Sequence, residues 1–197
     1  MSNRWQQTDA PRGDDYDARW RSLAAAGENI HGEADLVEAL LRESNGTHVL
    51  DAGCGTGRVA IELASRGVDV VGLDADSGML AAARAKAPAL QWIEADLAEA
   101  GRHLDGQFDL VVLAGNVMIF LEPGSEGRVL AELSTLLRPS GLLVSGFQLR
   151  ADGLTRDDYD RLAELAGLKQ VHRWATWARE PFKNGNYAVS VHQKRQP

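Results

Sequence analysis

The sequence has few cysteines and no long apolar runs, and both shortages limit what the protein can be. Cys54 is the single cysteine in 197 residues, which excludes an intrachain disulfide framework and a cysteine-rich zinc site. No stretch approaches the 18 or so consecutive apolar residues that span a bilayer. The first 17 residues also lack the apolar stretch of a signal peptide. We therefore expect a cytoplasmic protein with no membrane segment.

The sequence also has fewer positive than negative side chains. It contains 21 Lys and Arg residues and 28 Asp and Glu residues, which gives a net charge of −7. This balance argues against a surface that coats nucleic acid. The spacing of His, Asp and Glu indicates no metal site. The hydrophobic share of 44% exceeds that of a disordered chain. At this length we expect one domain with a single core.

Short apolar segments alternate with amphipathic helical segments along most of the chain. Strands are predicted at residues 47–52, 68–73, 90–93, 108–113, 142–147, 169–178 and 187–193. Helices are predicted at residues 32–43, 57–66, 77–87 and 125–137, and from residue 155 to about residue 167. The alternation indicates βαβ units in a mostly parallel sheet that is covered by helices on both faces.

The last two predicted strands are joined by a short loop that is rich in Pro, Gly and Asn. That length favours a hairpin over a crossover, so the last strand is expected to be antiparallel. The predicted fold is therefore a Rossmann-like, doubly wound α/β sheet of seven strands.

A glycine-rich segment, residues 51–57, joins the first predicted strand to a helix. Glycine lets a backbone turn tightly and approach a ligand closely. The register of the motif is open, since Gly55, Gly57 and Ala60 fit the dinucleotide pattern G-x-G-x-x-A, whereas Gly53, Gly55 and Gly57 fit G-x-G-x-G. An NAD(P)-dependent oxidoreductase is therefore one alternative.

The charges around this segment narrow the choice of ligand. Asp51, Asp74 and Asp96 lie at the carboxyl ends of the first three predicted strands, the edge that faces the ligand crevice in an open parallel sheet. A carboxylate at Asp51 would repel a pyrophosphate but suit an ammonium or sulfonium group. Asp74 occupies the position from which a carboxylate binds a ribose diol. The pattern favours a cationic nucleoside over a phosphorylated one.

Four segments, VLDAGCGTGRVAIELA, VVGLDADSGMLAAAR, IEADLAE and FDLVVLAGN, occur in this order. Together they resemble the class I S-adenosylmethionine-dependent methyltransferase family over roughly residues 30–150. The resemblance implies S-adenosylmethionine as cofactor and S-adenosylhomocysteine as product. It also implies the set of cofactor-binding positions, from the methionine end to the adenine: Asp51, Gly53, Gly55, Gly57, Ala114, Asp74, Ala75, Asp96 and Leu97.

The family resemblance also directs attention to the methyl acceptor. Its amino-DNA branch carries an N/D-P-P-Y type motif after the fourth strand, where this chain has Gly-Asn-Val-Met at residues 115–118. A small-molecule acceptor is therefore favoured over DNA. Asn116 and His31, which precedes a helix near the expected cofactor mouth, are candidate catalytic residues. Tyr16 and Trp20 would share a helical face and are candidate substrate contacts or, alternatively, core packing.

We expect residues 1–32 to form an N-terminal arm and lid, and residues 33–197 to form the methyltransferase domain. Strand alternation predicts that Trp174 and Trp177 lie on opposite faces of their strand, one of them near the crevice. Asp76 is interpreted as a turn or cap residue, and Ser77 as the cap of the helix predicted at residues 77–87. A non-catalytic S-adenosylmethionine-binding protein and a methyltransferase for RNA or protein stay open as alternatives, and either a monomer or a homodimer is compatible with the sequence.

Overall fold

The computed structural model describes Trp5, residues 12–150 and residues 153–196. It contains a seven-stranded sheet with the order β3-β2-β1-β4-β5-β7-β6. The strands are β1 (His48–Ala52), β2 (Asp69–Asp74), β3 (Gln91–Glu94), β4 (Phe108–Leu113), β5 (Leu137–Gln148), β6 (Leu168–Trp174) and β7 (Tyr187–Lys194). The strand order reverses between β1 and β4, since the chain adds β2 and β3 on one side of β1 and then places β4 on the other. Such a switch point is where open α/β sheets bind ligands.

The predicted fold class is confirmed. The β1–β2, β1–β4, β2–β3 and β4–β5 pairs are parallel. The last strand, β7, is antiparallel both to β5 and to β6, and it lies between them. All six residues of β4 are buried, because this central strand is covered on both faces.

Helices cover both faces of the sheet. They are α1 (Asp14–Ala25), α2 (Gly32–Ser44), α3 (Arg58–Ser65), α4 (Ser77–Lys86), α5 (Val117–Phe120), α6 (Glu126–Leu136) and α7 (Arg156–Leu165), with a 3₁₀ helix at Leu97–Arg102. One buried apolar cluster joins the sheet to α6, α7 and the 3₁₀ helix, and a second joins it to α2, α3 and α4. Among the described residues, no helix combines the length and apolar character needed to cross a bilayer.

Several helix boundaries follow from caps that the sequence contains. Thr155 begins α7, and its side chain accepts a hydrogen bond from the Asp158 backbone N–H. Asn45 ends α2 in the left-handed conformation, at φ 53°. Asp76, rather than the expected Ser77, caps α4, because its carboxylate accepts from the backbone N–H groups of Gly78 and Met79. The prediction of Asp76 as a cap residue is confirmed, whereas the prediction of a Ser77 cap is wrong.

Candidate active site

A cavity of about 610 Å³ opens at the carboxyl ends of β1, β2 and β4. Its wall brings together the glycine segment, the residues that follow the strands, the inner face of α1, and a tryptophan and a tyrosine near the start of β7. All three strand-end aspartates, Asp51, Asp74 and Asp96, line it. The sequence therefore predicted the edge of the sheet at which the cavity lies.

The glycine segment adopts a conformation that favours glycine. The backbone φ angles of Gly53, Gly55 and Gly57 are 80°, 55° and 81°, in the left-handed region. A Cβ atom at Gly53 would lie 2.6 Å from the Val117 side chain, and one at Gly57 would lie 2.5 Å from the Trp92 ring. Backbone strain and steric overlap with Val117 and Trp92 thus disfavour any larger residue at these positions. The glycine backbone forms the floor of the cavity.

Asp74, the last residue of β2, is hydrogen-bonded to the glycine segment that forms the cavity floor. Its carboxylate accepts hydrogen bonds from the Gly55 backbone N–H at 2.8 Å and from the Asp76 backbone N–H at 2.8 Å. Burial raises the pKa of the Asp74 carboxyl above its ordinary value, although these hydrogen bonds lower it. Asp74 does not cap α4, and its position at the cavity leaves it available to a ligand.

Asp51 is only 1% exposed and is incompletely satisfied. Oδ2 accepts from the Ala60 backbone N–H at 3.0 Å, while Oδ1 is buried and has no hydrogen-bond partner in the described part of the chain. Burial raises the pKa of Asp51 to about 7, against the opposing positive charge of Arg58. A buried acceptor without a donor is costly. A ligand that brings an N–H group or a positive charge would relieve that cost.

Asp96 both lines the cavity and caps the 3₁₀ helix. It lines the cavity, and its Oδ1 atom accepts a hydrogen bond from the Ala98 backbone N–H at 2.8 Å, which caps the 3₁₀ helix. Ala75, Leu97 and Ala114, the other predicted cofactor contacts beyond the glycine segment, also line the cavity. Cys54 is a buried spacer between two glycines, and burial raises the pKa of its thiol.

Helix α1 covers one side of the cavity and is fixed there by Asp17. The buried Asp17 carboxylate accepts a hydrogen bond from the Thr56 hydroxyl at 2.5 Å and pairs with the Lys86 ammonium at 2.5 Å. Tyr16 and Trp20, on the same helix, both line the cavity, with ring centroids 6.3 Å apart. The indole N–H of Trp5 donates to Asp76 at 3.1 Å. Tyr16 and Trp20 lie on one helix, as their spacing predicts, but the bounds of α1 were not predicted from the sequence.

The two candidate catalytic residues differ in position. Asn116 lines the cavity, but its Oδ1 atom accepts a hydrogen bond from the Gln148 backbone N–H at 2.8 Å. His31 lies at the start of α2, outside the cavity lining, with Nδ1 3.4 Å from a carboxylate oxygen of Glu62. The structure thus brings Asn116 to the cavity and leaves His31 away from it.

The alternation argument for the two tryptophans is wrong in its premise. Strand β6 ends at Trp174, because the chain turns back there and Ala175 N–H donates to the Glu180 carbonyl at 2.8 Å. Trp177 follows in this turn and lines the cavity, whereas Trp174 stacks on the His172 ring. One tryptophan is at the crevice, as expected, but the turn places it there rather than strand alternation.

Sequence reasoning named Trp20 and Trp177 but missed the polar partners, Arg58 and Tyr187, that these two side chains have at the cavity. Arg58 pairs with both carboxylate oxygens of Glu33, at 3.0 and 2.6 Å, and its guanidinium lies 3.8 Å above the Trp20 ring centroid. The Trp177 indole N–H donates to the Tyr187 hydroxyl at 2.9 Å. The residues of these pairs lie 10 to 38 positions apart in the sequence, so no local pattern predicts their contacts. Only the position of Arg58 directly after the glycine segment indicated that it could lie at the cavity.

Comparison with known proteins agrees with this geometry. Residues 49–141 match a family model described as a methyltransferase domain. The chain is 28% identical over 161 residues to a glycine/sarcosine N-methyltransferase of Aphanothece halophytica, a match that covers 79% of this chain and 57% of that protein. It is 35% identical over 105 residues to a magnesium-protoporphyrin O-methyltransferase of Rhodobacter capsulatus, covering 51% of this chain and 45% of that protein. The chain thus spans about half the length of these curated relatives.

A solved structure matches nearly end to end. The TehB-like SAM-dependent methyltransferase of Corynebacterium glutamicum superimposes with a TM-score of 0.80 at 36% sequence identity, and the match covers 93% of this chain and 98% of that one. The sheet order, the left-handed glycines and the strand-end carboxylates are thus accompanied by similarity over the whole fold. The chain belongs to the class I S-adenosylmethionine-dependent methyltransferases.

Proposed function

We propose that the protein binds S-adenosylmethionine in this cavity and transfers its methyl group to a small molecule. The observation that carries the proposal is the unpartnered Oδ1 atom of the buried Asp51 carboxylate, beside three left-handed glycines. The residues present fit this cofactor, because its cationic groups would give the Asp51 carboxylate the positively charged partner that it lacks. The glycine floor leaves room for a ligand to approach the backbone closely.

The cofactor contacts would be shared among the strand ends. Asp51, Gly53, Gly55, Gly57 and Ala114 would hold the methionine portion. The ribose would lie against Asp74 and Ala75, and the adenine against Asp96 and Leu97. All of these except Gly57 line the cavity, and Gly57 ends the glycine segment beneath it.

When bound, the cofactor supplies an already activated methyl group. The chain's own residues then need to align the acceptor and exclude water. Tyr16 and Trp20 on α1 would contact the acceptor and close the cavity, as parts of a lid within residues 1–32 that covers the methyltransferase domain of residues 33–197. Asn116, held by the Gln148 N–H, would help to position the reacting groups.

A calorimetric titration tests the proposal against the oxidoreductase alternative. We expect S-adenosylmethionine and S-adenosylhomocysteine to bind and NAD to show no heat, since the buried Asp51 carboxylate would repel a pyrophosphate. Uptake of NAD without uptake of S-adenosylmethionine would contradict the proposal. Binding alone does not separate an enzyme from a non-catalytic cofactor binder, and formation of a methylated product from a small molecule makes that distinction.

A further inference from the structure

Two neighbouring residues of α1 and one at the start of β7 line the cavity with hydrogen-bond donors that the described residues leave unused. The Trp20 indole N–H is buried and has no hydrogen-bond partner there. Arg19, which lines the same cavity, forms no ion pair or hydrogen bond within the described part of the chain. The Tyr187 hydroxyl accepts from Trp177, and no described acceptor takes its proton. We call Arg19, Trp20 and Tyr187 the donor wall.

The nearby carboxylate does not satisfy these donors. Both oxygens of Glu33 are engaged by the Arg58 guanidinium, which also donates to the Ile30 carbonyl. Burial raises the pKa of Tyr187 to about 12, so its hydroxyl keeps its proton at neutral pH. The donor wall therefore presents three donors, one of them charged, with no matched acceptor.

The same geometry disfavours a cationic acceptor at this wall. Aromatic rings often bind ammonium groups through their faces. Here the Arg58 guanidinium already occupies one face of Trp20, at 3.8 Å from the ring centroid. An ammonium group would also meet the positive charge of Arg19, and Glu33, the carboxylate beside Trp20 and Tyr187, is already paired with Arg58.

The described lining of the cavity contains neither histidine nor lysine, and its Asp51, Asp74 and Asp96 carboxyl groups, which could also act as bases, are assigned to the cofactor. Asn116 has its carbonyl oxygen engaged by Gln148, and His31 lies elsewhere. An acceptor that is already deprotonated at neutral pH needs no such base. A carboxylic acid, with an ordinary pKa near 4, meets this condition, and its oxygens accept hydrogen bonds.

We propose that the methyl acceptor is a small carboxylate that binds to the donor wall and leaves as its methyl ester. This rests on the proposed function. One carboxylate oxygen is held by the donors, and a lone pair on the other forms the new O–CH₃ bond. The bond between methyl and sulfur breaks, its electron pair stays on sulfur as a neutral thioether, and no proton moves. Arg19 is then the residue that determines specificity for an anion.

Binding to the protein saturated with S-adenosylhomocysteine tests this directly. The probes are benzoate, phenylacetate and cinnamate, their amides, and benzylamine and phenethylamine, followed by tryptophan fluorescence and calorimetry. We expect at least one carboxylate to bind more tightly than its amide and than either amine. Arg19→Ala should weaken that binding about tenfold, the size of one charged hydrogen bond. Arg21→Ala, an exposed cation on α1 outside the cavity lining, is the matched control and should have no effect.

Two further variants separate the donors. Trp20→Phe removes the indole N–H and should weaken carboxylate binding by a smaller factor of about three. Tyr187→Phe removes the phenolic donor but also frees the Trp177 N–H, so its effect should be smaller still. With S-adenosylmethionine in place of the product, mass spectrometry should detect the methyl ester of the bound carboxylate.

Tighter binding of an amine, binding of none of the carboxylates, or equal effects of Arg19→Ala and Arg21→Ala would overturn the inference. A loss of S-adenosylhomocysteine affinity in Arg19→Ala that matches the loss for the carboxylate would assign Arg19 to the cofactor and overturn it as well. Failure of the unmodified protein to bind S-adenosylhomocysteine would instead overturn the proposed function.

Discussion

Asp51 and Asp74, two carboxylates at adjacent strand ends, are satisfied to different degrees. Both oxygens of Asp74 accept backbone hydrogen bonds, from Gly55 and from Asp76. Only one oxygen of Asp51 has a donor. Asp74 therefore links the floor of the cavity to β2 and still has lone pairs for a ligand, whereas Asp51 depends on a ligand to complete its hydrogen bonds.

Asp74→Ala should weaken the binding of S-adenosylhomocysteine. Each charged hydrogen bond to the ribose that is lost costs about 1.5–3 kcal/mol, or roughly ten- to hundredfold in affinity. The change also removes the acceptor of the Gly55 N–H, so the glycine segment loses one of the hydrogen bonds that hold it in place. Calorimetry measures the effect, with Asp105→Asn on an exposed loop as a control. An unchanged dissociation constant would refute the ribose role.

Cofactor affinity should rise with pH because of Asp51. With a pKa of about 7 in the free protein, this carboxyl is mostly protonated at pH 6 and mostly charged above pH 7. Cationic groups bind the charged form, so binding of S-adenosylmethionine releases a proton. Between pH 6.0 and 7.5 we expect the affinity to increase about eightfold, the factor given by linkage for a pKa of 7.

Titrations at several pH values, in buffers of different ionisation enthalpy, measure both the affinity and the proton release. Asp51→Asn removes the titrating group, so its affinity should vary little over the same range. A wild-type affinity that is independent of pH would show that Asp51 does not titrate with the cofactor.

At the scale of the element, the buried Asp17 side chain helps to hold α1 against the glycine segment. Asp17 contacts Thr56 in the glycine segment and Lys86 at the end of α4, so one carboxylate joins three elements around the cavity. Trp5 and Arg12 add contacts to Asp76. If α1 is part of the lid, these contacts set how fast the cavity opens.

Asp17→Asn should speed the dissociation of S-adenosylhomocysteine about five- to tenfold. The variant keeps the shape of the side chain but loses its charged pair with Lys86, which is partly exposed, so we expect an effect of about 1 kcal/mol. Stopped-flow tryptophan fluorescence measures the dissociation rate. Asp15→Asn, on the exposed side of the same helix, is the matched control. Equal rates for the two variants would show that Asp17 does not restrain the lid.

The elements differ in how much of their role the sequence could predict. The glycine segment and the aspartates at the carboxyl ends of β1, β2 and β3 were predictable, because a local pattern fixes both the turn and the edge of the sheet. The packing position of α1 was not predictable, since the Asp17–Thr56 contact joins residues that are 39 positions apart in the sequence. The sequence pattern of residues 169–178 predicts a strand that includes Trp177, and only the turn at Ala175 explains why Trp177 reaches the cavity.

At the scale of the whole molecule, Asp51 and His192 make stability depend on pH in opposite directions. Burial lowers the pKa of His192 to about 4, although the Asp160 carboxylate, 3.7 Å away, raises it. Its unfolded pKa is 6.5, so the unfolded chain binds more protons and stability is lost as the pH falls from about 6.5 to 4. Asp51 has a folded pKa of about 7 and an unfolded pKa of 3.8, so its contribution is lost as the pH rises from about 3.8 to about 7.

Removing the Asp51 charge should therefore change how the free energy of unfolding varies with pH. The difference between Asp51→Asn and the unmodified protein should grow in favour of the variant by about 1 kcal/mol per pH unit between pH 4.5 and 6.5, and level off above pH 7. Urea unfolding in the absence of cofactor measures it, and Asp105→Asn controls for loss of a charge at an exposed site. In His192→Gln the sign reverses, with the variant gaining on the unmodified protein as the pH falls. A constant Asp51→Asn difference across this range would show that Asp51 is charged in the folded protein throughout, and that its second oxygen has a partner in solution.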